Sequence, residues 1–373
     1  MEHRFSGFFH RASLDTILKT SLQVATPVVA IFGSIIVGAI VISLAGVNPI
    51  LAYHHLWYGA FGTANNLAET LVKTTPILIA GIGLSISFRG SLTNIGAEGQ
   101  MVVGAITATI VAFLIPPLPA ILSIPLVMLF GFLGGAMYGA FPGFLKARFG
   151  TSEIISTIML NYIAISLLAF LLDGPMKEKA GYFPQTALVP IQTQLPRFLE
   201  ATRLHLGIVF ALVLVGFYYV LMFRLPLGYR VRAVGLNPHA ARYAGINVKR
   251  HIVLAMALSG GLAGVAGMVE VFGLHHRLYN GFSAGYGFDA VAISLLGRLH
   301  PLGVVLAAVF FGALRVGANA MQNAVQVPVP VVYLIQGVSV LFILTDRLMR
   351  ESITKFIKSR INLRSPARNM EVE

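Results

Sequence analysis

The sequence predicts an all-α integral membrane protein of about ten transmembrane helices, built as two inverted halves with interrupted helices. Three observations carry that expectation. Of 373 residues, 56% are hydrophobic and only 11% are charged, whereas soluble domains carry about 25% charged residues. Apolar runs of about 20 residues, the length that crosses a bilayer, recur throughout the chain. The cations gather in the short connectors between those runs and in the C-terminal tail. The formal charge of +13 is therefore an orientation signal. It is not a nucleic-acid surface, because no groove of interleaved basic and aromatic residues accompanies it. With no cysteine, the chain has no disulfide, thiolate metal site or cysteine nucleophile.

Each element follows from its own boundaries. Residues 1–23 are mixed polar and basic (Arg4, Arg11, Lys19) and form an expected cytoplasmic N-terminal segment. They are too polar, and the run after them too long, for a cleaved signal peptide. The transmembrane domain is expected over 24–345. Its first span covers about 24–46, and Gly46 to Asn48-Pro49 closes it. His54, His55, Trp57 and Tyr58 follow at the outer interface, where aromatic rings are favoured. Further spans are expected at about 67–88, 100–115, 120–141, 153–172 and 205–223. The Pro-rich turn at 116–119 and the long loop 173–204 lie outside. After a basic connector, spans follow at about 251–271, 302–319 and 327–344, with a short apolar helix from Tyr286 to Leu296 between the first two. Residues 346–373 form a basic cytoplasmic tail. This topology places 20 Lys and Arg inside, 5 outside and two, Lys73 and Arg315, within spans, so both termini are expected in the cytoplasm.

The connector 224–250 holds Arg224, Arg230, Arg232, Arg242, Lys249 and Arg250 and no acid. It is also punctuated for structure. Asn237 suits an N-cap, Pro238 the first helical position and Gly245 a left-handed stop, which frames a short helix between them. Such a helix is either a docking plug for a cytosolic partner or part of a solvated positive-inside loop. Gly131, Gly135, Gly139 and Gly143 form a smooth stripe, as do Ser259, Gly260, Gly264 and Gly267; both read as helix packing. A span, a Gly-rich break and a further helix occur at 76–105 and again at 255–297, facing opposite sides, as in many transporters.

Ionisable and amide groups at membrane depth are functional candidates. Asn94, Glu98 and Gln100 lie in the first Gly-rich break, where they line a substrate path or where Glu98 simply favours the N-terminus of its own helix. Asn161, in mid-span, either bonds a neighbouring helix or reads substrate. Glu153 after Thr151-Ser152 reads as a capped helix start, and Asp289 as a residue facing the N-terminus of its short helix. Glu270 and Arg315 stand near the outer ends of their spans, close enough in depth for an ion pair. His54-His55 and His275-His276 point to different sides with no acid to complete a metal set. Leu258-Ser259-Gly260-Gly261 mimics part of an ATPase signature, but no phosphate-binding loop, HExxH or GxSxG exists. No catalytic residue, metal or cofactor is expected.

Three stretches carry a family resemblance: TPILIAGIGLSISFRGSLTNIGAEGQM (75–101), TSEIISTIMLNYIA (151–164) and RAVGLNPHAARYAGINVKR (232–250). They resemble the permease subunits of bacterial ABC importers, the group that includes the ribose, branched-chain amino acid and nucleoside permeases. NIGAEGQ and SEIISTIMLNYIA are most similar to the nucleoside (guanosine-type) branch, which works with basic-membrane-protein lipoproteins. The likeness spans nearly all of 67–345. It implies a separate ATPase subunit, an extracellular lipoprotein that delivers substrate, and a second related permease completing a heterodimeric pore. It also implies that the ATPase couples through Gly235, Asn237, Pro238, Ala240, Ala241, Arg242 and Gly245, and that Asn94, Glu98, Gln100 and Asn161 line the pathway. The alternatives are a sugar or amino-acid permease of the same architecture, or a proton-coupled transporter using Glu98 or Asp289.

Overall fold

A computed structural model describes residues 32–179, 181–198 and 201–344. The expected terminal segments 1–23 and 346–373, and the start of the 24–46 span, lie outside the described residues. Thirteen α-helices run through the described chain: α1 (Phe32–Leu44), α2 (Pro49–Phe61), α3 (Ala64–Arg89), α4 (Ala97–Leu114), α5 (Ala120–Phe149), α6 (Glu153–Asp173), α7 (Gly207–Phe223), α8 (Pro226–Leu236), α9 (Pro238–Tyr243), α10 (Val248–Glu270), α11 (Tyr286–Leu296), α12 (Pro301–Val325) and α13 (Pro330–Leu344). Extended pairing among the described residues is limited to two isolated bridges, Gln185 with Tyr279 and Arg197 with His205.

Six of these helices are long and apolar enough to cross a bilayer, or seven if α7 and α8, bent by 66°, form one span. Helices α1, α11 and α13 fall short of that length. The described chain divides into two compact units, one holding α1 and α13, the other Val47–Val329.

Two helices were not expected. Asn48-Pro49 reads equally as the end of one helix and the start of the next. Here Asn48 Oδ1 accepts from the Ile50 amide at 2.9 Å and Pro49 takes the first turn, so the aromatic 54–58 segment is helical. Pro226 likewise opens α8 inside the basic connector. The expected cap of α6 is absent, because the Ser152 side chain makes no capping bond.

Within 47–329 the centre is α3 and α10, whose apolar stretches are 83% and 72% buried, against 33% for α5 and 28% for α6. Leu, Ile and Phe on the open faces of α5 and α6 suit lipid, as a span at the rim of a bundle requires. The two glycine stripes meet: a Cβ on Gly135 would lie 2.2 Å from the Gly260 carbonyl oxygen, and one on Gly264 would lie 2.2 Å from that of Gly131. Backbone contact this close is how small residues hold helices together where lipid removes the hydrophobic incentive.

Candidate functional site

Two helix starts inside the bundle carry the polar groups. The first follows α3, whose chain breaks at 90–96 before α4 begins. The α4 N-terminus is flanked by Gly96, which has no side chain to cap it. The cap comes from α6: Asn161 Oδ1 accepts from the Gly99 amide at 2.8 Å, and its amide donates to the Ile95 carbonyl at 2.9 Å. Asn94 folds the break from within. Its Oδ1 accepts from the Gly96 amide at 2.9 Å and from Gln100 Nε2 at 3.1 Å, and its Nδ2 donates to Gln100 Oε1 at 3.0 Å and Ser259 Oγ at 2.9 Å. Asn94, Gln100 and Asn161 are all buried. Asn94 and Asn161 satisfy backbone groups at 95, 96 and 99 that would otherwise be unpaired in a low-dielectric interior, and Gln100 and Ser259 hold Asn94 in place.

The second helix start is α11. The α10 helix continues as a π-helical turn over Val271–His275, a form found mostly as short bulges at functional sites. The chain then loops through residues with left-handed backbone at His276, Gly281, Ala284 and Gly285. Gly285 precedes α11 and again supplies no side-chain cap. The acceptor comes from α4: Glu98 Oε2 takes the Gly287 amide at 2.7 Å, while Oε1 takes the Gly285 amide at 3.3 Å and the Ser283 hydroxyl. A Cβ on Gly287 would lie 2.2 Å from the Glu98 nitrogen, so only glycine lets the two helix starts meet. Glu98 does sit in the first turn of α4, but its charge is spent on α11, not on its own helix. A carboxylate at a helix N-terminus is favoured by the unpaired amides and the dipole there.

Charged pairs surround this second start. Arg315 Nε donates to Asp289 Oδ2 at 2.6 Å, and its Nη2 to the Ala284 carbonyl at 3.0 Å. Lys73 Nζ lies 3.6 Å and His275 Nε2 3.1 Å from Glu270 Oε1. Glu270 and Arg315 thus each have other partners, and Asp289 faces Arg315. The Tyr286 ring lies between the two cations, 4.5 Å from the Arg315 guanidinium and 5.6 Å from Lys73 Nζ. Beyond them Arg203 grips Glu69 with two bonds of 2.7 and 2.6 Å. Two residues before α7, His205 packs its ring against Gly273. Burial pushes the His205 imidazole down to about 4, so it is neutral at physiological pH. The His54-His55 and His275-His276 pairs join no cluster of three metal-ligating groups among the described residues.

In the basic connector, Asn237 Oδ1 accepts from the amides of His239 and Ala240, both at 3.0 Å, with Pro238 in the first turn. Gly245 has φ +77°, the left-handed region. Ala241 turns inward onto Val234 and Val248, while Pro238, His239, Ala240, Arg242 and Tyr243 are exposed. Gly235 packs against the end of α3, where a Cβ would lie 2.3 Å from the Arg89 carbonyl oxygen, and its own carbonyl accepts from Ser91 Oγ at 2.7 Å. Arg89 in turn donates to the Leu299 carbonyl at 2.7 and 3.1 Å and to Tyr218 at 3.0 Å, with its guanidinium 4.7 Å from the Phe223 ring. The connector, the first break and the turn after α11 thus share one node.

Several partners escaped the sequence reading. Ser283 binds Glu98; Thr157 accepts from the Ile95 amide at 3.4 Å; Glu153 pairs with Lys146 and accepts from the Thr93 amide at 3.3 Å. Glu153, Thr157 and Asn161 are spaced four apart, which puts them on one helical face. That spacing was a usable signal. Nothing in the sequence pairs residue 98 with 283.

Comparison with known sequences identifies the family. The profile of the family described as branched-chain amino acid transport system, permease component, matches residues 66–344. The guanosine ABC transporter permease protein NupP of Bacillus subtilis is 34% identical over 92% of this chain and 100% of its own. The glucose ABC transporter permease protein TsgB13 of Haloferax volcanii is 34% identical over 88% of this chain and 89% of its own. The nucleoside ABC transporter permease protein NupB of Lactococcus lactis is 33% identical over 86% of this chain and 90% of its own. No solved structure matches. With the profile spanning every helix from α3 to α13, the chain belongs to the branched-chain amino acid transport system permease family, the multi-pass membrane subunits of ABC transporters.

Proposed function

We propose that this permease imports nucleosides, driven by a separate ATPase that docks on α9. The observation that supports this reading most is the meeting at Glu98 of two helix starts, α4 and α11, whose caps come from other helices. Discontinuous helices meeting inside the bundle are the usual seat of a transport site. On this reading α3–α4 and α10–α11 are corresponding parts of two inverted halves, the chain makes about ten crossings within 24–345, and both termini are cytoplasmic. Exposed Arg242, together with Pro238 and Ala240, meets the ATPase. Ala241 anchors the plug, Gly235 ties it to α3, and the Arg89 node carries its motion to both breaks. Asn94, Glu98, Gln100 and Asn161 border the pathway by fixing its backbone. A second, related permease and a substrate-binding lipoprotein complete the assembly. The chain moves its substrate without chemical change.

Relatives named for guanosine and nucleosides support the substrate; one named for glucose favours a sugar as the second reading. The test is uptake of labelled guanosine by the reconstituted assembly. Competition by other nucleosides but not by glucose or ribose is expected, with dependence on ATP and none on a proton gradient. Uptake that persists without ATP, or that glucose alone competes, would overturn the reading.

A further inference from the structure

The four amide and carboxylate residues at the first break are at most 5% exposed, and their bonds go to backbone, to one another and to the buried hydroxyls of Ser259 and Ser283. A solute at this depth must touch other groups. The accessible side of the α11 start provides them. Tyr286, Gly287 and Ala290 turn inward, while Ala284 and Phe288 are exposed, Phe288 by 52%. Phe288 directly precedes Asp289 in the first turn of α11, which puts its ring on the helix face next to the one carrying Asp289. The Ala284 carbonyl is bound by Arg315, which also holds Asp289. Through the Tyr286 ring this pair continues to Lys73, whose side chain is 26% exposed, and to His275, at 23%.

Lipid tails do not tolerate partly exposed ammonium, guanidinium and carboxylate groups at membrane depth. The face that carries them therefore meets water, and Phe288 stands beside it. Apart from buried Glu98, each carboxylate here faces a cation: Asp289 with Arg315, Glu270 with Lys73, Glu69 with Arg203. Such a surface has no net charge to attract or repel an ion, yet it is rich in groups that bond hydroxyls. An exposed aromatic ring beside it suits a flat heterocycle, since every nucleobase offers a π-face for stacking. Resting on the nucleoside reading above, we infer that Phe288, with Asp289, Arg315 and Lys73, forms the outward-facing binding surface for the substrate. Phe288 stacks on the base, and the ion-paired groups take the ribose hydroxyls.

The absence of cysteine makes Phe288→Cys the single thiol of this chain, and labelling is read on this chain alone. In the full assembly, reconstituted in vesicles, F288C should react with a charged, membrane-impermeant methanethiosulfonate. Leu133→Cys, on the lipid-suited face of α5, should not react, because a thiol in lipid does not ionise. Guanosine should protect F288C; glucose and ribose should not. Phe288→Ala should raise the KM for guanosine on the order of tenfold with little change in maximal rate, and Phe288→Tyr should keep it near wild type. An unreactive F288C, or one that no tested solute protects, overturns the site. Protection by glucose and not guanosine keeps the surface but overturns the base-stacking assignment. Failure of wild-type guanosine uptake sinks the nucleoside reading by itself, whatever the labelling shows.

Discussion

The break before α4 and the break before α11 solve one problem in opposite ways. Each leaves a helix start inside the bundle with glycine at the cap position, and each borrows its acceptor from another element: α4 from Asn161 on α6, α11 from Glu98 on α4. The first break is closed mostly by buried neutral amides and hydroxyls, with one carboxylate, Glu153 paired to Lys146, accepting from the Thr93 amide at its edge. The second is flanked by ion pairs that remain partly exposed, and it is reached through a π-turn and four residues of left-handed backbone. Amides suit a fixed turn, because they satisfy backbone without the desolvation cost of charge. Charges kept near water suit a surface that meets solute. Glu98 is a buried carboxylate on the helix of the first break whose hydrogen bonds go to the second, and it is the group that ties one break to the other.

Removing that tie should give the largest effect. Glu98→Ala strands the Gly285 and Gly287 amides and the Ser283 hydroxyl, at a cost of about 3–5 kcal/mol. Thermal unfolding in detergent should show a large loss, and uptake should vanish. Glu98→Gln, which keeps an acceptor, should recover part of both.

Acidification should strike the second break and leave the first alone. The His205 ring rests on Gly273 of the π-turn and is held neutral, with its pKa lowered to about 4. Since the folded value lies below the unfolded one of about 6.5, stability is complete above that pH and is lost as pH falls toward 4. The loss is on the order of 3 kcal/mol. The unfolding midpoint should fall as pH drops through this window in wild type and should fall less in His205→Gln.

Asn161→Leu tests the first break directly. It leaves the Gly99 amide and the Ile95 carbonyl unpaired, at about 2 kcal/mol, measurable as a lowered midpoint with the pH response unchanged. The smallest effect is expected from Lys73→Gln, which leaves Glu270 the His275 partner. Stability should fall by about 1 kcal/mol or less, while guanosine KM rises. A large unfolding effect there would mean that the second break is as rigid as the first.

Much of the fold was legible. Span boundaries at Arg89, Pro116-Pro117 and the basic connector follow from turn chemistry and charge alone, and the α9 cap was readable from Asn237-Pro238, whereas the span expected to end near 141 runs on to Phe149. The same dipeptide logic failed at Asn48-Pro49, because a stop signal and a start signal share those residues. Glu98 and Asn161 were legible as polar groups out of place, but their partners were not. Glu98 binds residues 185–189 positions away, and no local periodicity reports so distant a contact.

The sequence by itself determined that the chain is helical and membrane-embedded, and which glycines and amides would interrupt it. Bilayer length and helix caps are local properties, written in consecutive residues. Only the tertiary structure decided that the two interruptions meet, that Glu98 caps the helix it does not belong to, and that the charges about Tyr286 cancel in pairs. A hydrogen bond is fixed by distance in space, and chain order does not set which distant groups packing brings together.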